Sequence, residues 1–162
     1  MDELLKRLVS RFLQDDKDWL TKAFKRTDRI FRTGRSRYGF EWAIQTGFAN
    51  FLLDCQLEQE LFDVKVGEQE ENNKKYDISF VAVEKKIIVE IKTIYGGSIS
   101  YVKSDVQKPF PNGSIPFFLV FSDPTAPLEA PLLSGATVVG AWPTYEEFRC
   151  YLYKKTLNNP QK

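Results

Sequence analysis

Tyr76-Asp77-Ile78-Ser79-Phe80-Val81-Ala82-Val83 and Ile87-Ile88-Val89-Glu90-Ile91-Lys92-Thr93-Ile94, joined by Glu84-Lys85-Lys86, are the two segments whose reading decides the fold. Both are short, rich in β-branched and aromatic residues, and separated by a polar connection, so they read as the strands of a hairpin. Asp77, Glu90 and Lys92 break the apolar pattern. An unpaired charge inside a core costs on the order of several kcal/mol or neutralises. Two carboxylates and an ammonium brought together instead make a divalent-metal site with a cation beside the reacting water, which is the chemistry of phosphodiester hydrolysis.

Strand geometry turns this into a condition on the hairpin. Glu90 and Lys92 are two apart and share one face, while Ile91 points to the other. A turn of two residues, Glu84-Lys85, or of four, Val83 to Lys86, sets Asp77 opposite Lys92 and Ser79 opposite Glu90 on that face. A three-residue loop turns Asp77 away. The metal reading therefore predicts an even-numbered loop or a bulge.

Working outward from the hairpin, the period upstream is helical. Asp2 to Leu13 places Leu5, Leu8, Val9 and Phe12 on one face, a second helix runs from about Asp18 to Phe31, and Thr33 to Arg37 reads as a loop. A third helix from about Phe40 to Cys55 turns Ile44, Phe48, Phe51 and Leu52 inward. Leu61 to Val66 alternates as a first strand, ahead of the polar stretch Gly67 to Lys75. Downstream, Gly96-Gly97-Ser98 is a turn before a short helix, Ser100 to Lys108, that Pro109 stops. Ile115 to Phe121 and Ala136 to Trp142 are apolar runs suited to buried strands, and Thr144-Tyr145-Glu146-Glu147 is a capping-box start to a final helix ending near Lys155. The sum is an α/β domain with a central mixed sheet, a three-strand antiparallel meander plus two further strands, flanked by helices.

A chain of 162 residues, 43% hydrophobic and 28% charged, fits one domain. Residues 1–157 are read as that domain, with 1–37 a helical, basic extension, 38–157 the α/β core, and 158–162 a disordered tail. Neither a signal peptide nor a membrane span is evident, so the expectation is a soluble, cytoplasmic protein. Cys55 and Cys150 form no CxxC and are expected to be reduced, buried and structural. The sequence contains no histidine. That excludes Ser-His-Asp and Cys-His nucleophiles, HNH-type nucleases and His-rich zinc hydrolases. Carboxylate, lysine and metal remain, and hard oxygen donors call for Mg²⁺ or Mn²⁺.

The net charge of +1 hides a segregation: eight basic residues against Asp18 and Asp28 between Lys17 and Arg37, and seven acids against Lys65 between Asp54 and Glu71. Lys22, Lys25, Arg26, Arg29 and Arg32 recur at helical spacing, with Arg35 and Arg37 following. Such a stripe suits a nucleic-acid backbone, and an ordinary solvated helix face gives the same pattern.

The order Asp77, then Glu90-Ile91-Lys92 on the next strand, within a helix, three-strand, helix, strand layout, resembles the PD-(D/E)xK nuclease superfamily and its restriction-endonuclease-like fold. The likeness covers roughly Phe40 to Trp142, and Tyr76 stands where the family name has proline. The resemblance implies that Asp77, Glu90 and the Ile91 carbonyl bind the metal and that Lys92 steadies the attacking water. It further suggests Glu41, on the helix before the strands, as a ligand, although an acid near a helix start also suits the macrodipole. Gln107 is the counterpart of a glutamine that some members carry on the helix after the ExK strand, facing the site or a phosphate, or merely solvated.

The function expected is an Mg²⁺-dependent deoxyribonuclease, an endonuclease of DNA restriction, recombination or repair. Asp77, Glu90 and Lys92 are its catalytic groups, with DNA held by Lys22, Lys25, Arg26, Arg29, Arg32, Arg35, Arg37 and Gln107. A homodimer would match the two strands of a duplex. The alternative is a catalytically inactive PD-(D/E)xK-like module that binds DNA or a protein partner. Exposed alternation of glutamate and lysine on a strand would explain the triplet without any site.

Overall fold

The computed structural model describes residues 1–31, 37–67, 75–94, 99–142 and 148–156; the side chains of 25–31, 37–40, 100 and 101 lie outside the described set. Three helices, α1 (Asp2–Asp15), α2 (Lys17–Phe31) and α3 (Arg37–Leu57), precede a sheet of β1 (Phe62–Val66), β2 (Ile78–Ala82), β3 (Lys85–Ile94), β4 (Ile115–Ser122), β5 (Ala136–Trp142) and β6 (Arg149–Lys155). Helix α4 (Ser100–Val106) carries the chain from β3 to β4. The strand order is β1-β2-β3-β4-β6-β5. Only β3 and β4 run parallel, with α4 as their crossover, and the other neighbours pair antiparallel.

Alternation sorts the side chains of the central strands into two cores. Ile87, Val89, Ile91, Phe117, Leu119 and Phe121 pack toward α1, α2 and α3, where Phe12 and Phe48 meet at 5.0 Å. Ile94, Phe118 and Val120 face the opposite side with Val102 and Val106 of α4, Leu133, Tyr151 and Tyr153. A sheet covered on both faces explains why β3 and β4 are almost continuously apolar. Among the described residues no helix is long and apolar enough to cross a membrane.

Four sequence expectations are corrected. The final helix is absent between Arg149 and Lys155, which form β6 between β4 and β5; the capping-box residues Thr144 to Glu147 lie outside the described residues. The meander is thus joined by three further strands rather than two. Phe148, Tyr151 and Leu152 satisfy a helical spacing, yet Cys150 and Leu152 enter one core while Tyr151 and Tyr153 enter the other. The free edge of β4 selects the strand, because an apolar segment buried on both faces must pair its backbone.

The hairpin turn is even-numbered, as the metal reading requires, but it is Val83-Glu84: Ala82 pairs with Lys85 and Ser79 with Ile88. Continuing that register sets Asp77 opposite Glu90 rather than Lys92. The left-handed backbone of Val83 (φ 49°) and Glu84 (φ 58°) permits so tight a connection. Arg37, read as loop, is instead the first residue of α3.

Candidate active site

β2 ends its ladder at Ile78, opposite Val89, whereas β3 continues to Ile94 beside β4. Past Val89, β3 therefore has no strand paired on its β2 side among the described residues. Two carboxylates cover that side: Asp77 Oδ2 accepts from Ile91 N–H at 2.7 Å, and Glu41 Oε2 from Thr93 N–H at 3.1 Å. One turn beyond Glu41 on α3, Gln45 donates its Nε2 to the Asp77 carbonyl at 2.9 Å. Helix α3 is thus tied to the end of the hairpin. Glu41 is the fifth residue of its helix and serves β3 and Lys92, which answers the alternative of a helix-capping acid.

On the α4 face, Glu90 and Lys92 stand in register with Phe118 and Val120. Glu90 is 1% exposed; its Oε2 accepts from Lys108 Nζ at 3.3 Å, and its Oε1 is buried without a hydrogen-bond partner. Lys92 Nζ lies 3.2 Å from Glu41 Oε1 and 3.5 Å from Asp105 Oδ2. Asp105, on α4, also holds Lys108 Nζ at 2.6 Å. Glu41, Lys92, Asp105, Lys108 and Glu90 thus form one chain of alternating charge, with Asp77 at its side.

Four carboxylates against two ammoniums leave an excess of two negative charges when all are ionised. Glu90 carries the strain: burial, then the charges of Asp77 and Asp105, push its pKa up to about 7 in spite of Lys108. Burial acts to lower the pKa of Lys92, but Glu41, Asp105 and Asp77 outweigh it and raise it. Lys108 is likewise raised, burial being outweighed by Asp105 and Glu90. Both lysines are therefore cations at neutral pH.

The donor set has the chemistry a divalent cation takes, although among the described residues no three of its carboxylates bring one oxygen each within 4.8 Å of one another. Its atoms are hard oxygens, it holds excess negative charge, and one oxygen of its most buried carboxylate has no partner. A different trio, Cys55, Glu58 and Glu60, is the group whose ligating atoms lie within 4.8 Å of one another among the described residues. Arg11 bonds both of those glutamates and Arg7 bonds Glu60. Burial also raises the Cys55 thiol to about 11, so an ion there would have to displace a guanidinium and ionise a reluctant thiol.

Of the residues expected from sequence, Asp77, Glu90, Lys92 and Glu41 come together. The Ile91 side chain packs in the α1–α3 core, and its N–H serves Asp77. Gln107 is exposed at the C-cap of α4. Lys22 is exposed on α2, while the side chains of Lys25, Arg26, Arg29, Arg32, Arg35 and Arg37 lie outside the described residues. Gln45, Asp105 and Lys108 were missed. The available signal was spacing: Gln45 is four residues after Glu41, and Asp105 and Lys108 form an i,i+3 acid-base pair beside the apolar positions Val102 and Val106. No known protein family, curated protein or solved structure matches the chain, so the site is read from its own residues.

Proposed function

We propose that this protein is a divalent-cation-dependent nuclease that hydrolyses phosphodiester bonds in DNA, as its PD-(D/E)xK-like motif implies. The observation that carries the reading is the unpartnered Oε1 of buried Glu90, beside Asp77 and within one charge network with Lys92. Asp77 and Glu90 would hold Mg²⁺ or Mn²⁺ with the Ile91 carbonyl, and Glu41 would join them; the bound ion supplies Lewis-acid polarisation of the phosphate. Lys92, kept cationic by Glu41 and Asp105, orients the attacking water and offsets charge developing on the phosphate. Asp105 holds Lys92 and Lys108 together through its two oxygens. Gln45 and the Ile91 N–H fix Asp77, so that orientation is set before substrate arrives.

The test is cleavage of linear, nicked, flap and four-way-junction DNA with Mg²⁺ or Mn²⁺ and with EDTA. Asp77→Asn, Glu90→Gln and Lys92→Met are each expected to abolish cutting while the protein stays folded. Activity that survives all three overturns the proposal. One observation favours the second reading, an inactive module: every lysine of the network is already paired with an acid, a self-contained arrangement that needs no ligand. It predicts salt-sensitive DNA binding without metal-dependent cleavage.

A further inference from the structure

Behind Lys108 the chain turns through Pro109 to Pro111 and opens a cavity of about 410 Å³, within the range of small-molecule sites. Phe110, Pro111, Ser114 and Pro116 form its wall, and Lys85 and Lys155 supply its charge. Lys155 Nζ donates to the Lys108 carbonyl at 2.7 Å and stands 4.8 Å from the centroid of the Phe110 ring. Among the described residues neither Lys155 nor Lys85 is paired with a carboxylate, and burial lowers the Lys155 pKa, as expected of an ammonium desolvated without an acid. A half-buried cation in this state is completed by an anion. Two lysines lining one cavity with apolar walls suit a phosphate attached to a flat organic group.

The cavity adjoins the site through one short segment. The Lys108 side chain reaches Glu90, its carbonyl holds Lys155, and Phe110 stacks at 5.5 Å on Tyr76, the neighbour of Asp77. Along β3, Lys85 and Glu90 are about 16 Å apart at roughly 3.3 Å per residue, a span of a few nucleotides.

We propose that this cavity is a second subsite that takes one nucleotide unit, its phosphate on Lys155 and Lys85 and its sugar and base against Pro111 and Pro116. Its place in a nuclease rests on the function proposed above; binding at the cavity does not. The unit is supplied either by a strand crossing the surface or by a free nucleotide. Calorimetric titration of the full chain in EDTA with dAMP, and separately with a short oligothymidylate, distinguishes the two sources. Binding of either probe is expected to weaken about tenfold in Lys155→Met and in Lys85→Met, the loss of one charge-assisted contact. The Lys85 position is exposed, so that change reads binding without a folding defect. Binding of neither probe, or affinity unchanged in both variants, overturns the subsite. Because no metal is present, absence of cleavage leaves this result intact, and cleavage with unaltered binding in both variants removes the subsite alone.

Discussion

Lys108 donates to Glu90 across the gap between the end of α4 and the middle of β3, at 3.3 Å, and it is the ammonium paired with the most buried carboxylate among the described residues. Lys108 thus occupies, beside Glu90, the role of a counter-ion that a divalent cation would otherwise fill. Removing it leaves a buried carboxylate with two acidic neighbours and no cation. Lys108→Met is expected to destabilise the metal-free protein by about 1–2 kcal/mol at pH 8, a moderate value because the lysine itself is a third exposed. Added Mg²⁺ or Mn²⁺ is expected to recover most of that loss. Thermal melts of the variant with and without metal provide the check; a melt indifferent to both the substitution and the metal refutes this role.

Stability of the metal-free protein should fall as pH rises through neutrality. The folded-state pKa of Glu90, about 7, lies above its ordinary value of 4.5, so the folded state favours the protonated form. Such a group contributes stability that is complete below its unfolded pKa and is lost as pH passes its folded one. The difference amounts to on the order of 3 kcal/mol between pH 4.5 and pH 8. Urea denaturation across that window in EDTA measures it, and Glu90→Gln should flatten the profile. A native profile with no slope between pH 5 and pH 8 contradicts the burial argument.

The Val83-Glu84 turn provides a test of register that touches no site residue. Both positions have positive φ, which a β-branched or long side chain adopts with strain and which Asn-Gly adopts readily. Replacing Val83-Glu84 by Asn-Gly is expected to stabilise the protein by about 1 kcal/mol, roughly 2–4 °C in Tm for a chain of this size. A loss of stability would mean that the turn lies elsewhere, as at Glu84-Lys85.

Much of the architecture was legible in the sequence because it is written in period. Helical spacing marked α1, α2 and α3, and apolar runs marked β2, β3, β4 and β5. Period two also fixed that Glu90 and Lys92 share a face and that Asp77 joins them only across an even-numbered turn, yet it is blind to a shift of two residues, so whether Asp77 stands opposite Lys92 or Glu90 is decided by the turn itself. The strand β6 was hidden because Phe148, Tyr151 and Leu152 satisfy a helical spacing as well as a strand buried on both faces; only the unpaired edge of β4, a long-range fact, decides. Asp105 and Lys108 were obscured for a related reason. On α4 they look like an ordinary surface ion pair, and only the crossover between the parallel strands β3 and β4 brings them over Glu90 and Lys92.

Asp77 and Glu41 each serve two masters, a β3 amide and the charge cluster, and substitutions can separate these roles. Asp77→Asn keeps an oxygen for the Ile91 N–H and removes only the charge, whereas Asp77→Ala leaves that amide without its partner. The alanine variant is expected to lose about 1–3 kcal/mol of stability, the cost of a stranded buried donor, while the asparagine variant should lose less than about 1 kcal/mol. Glu41→Gln and Glu41→Ala should divide in the same way through the Thr93 N–H, with the added effect that Lys92 loses a carboxylate and its raised pKa falls. If the carboxylates are cation ligands, the two amide variants, though folded, should bind Mn²⁺ at least tenfold more weakly, which calorimetry reads without any substrate. Amide variants that are stable and bind Mn²⁺ as tightly as the native chain would assign both acids to covering the edge of β3 alone.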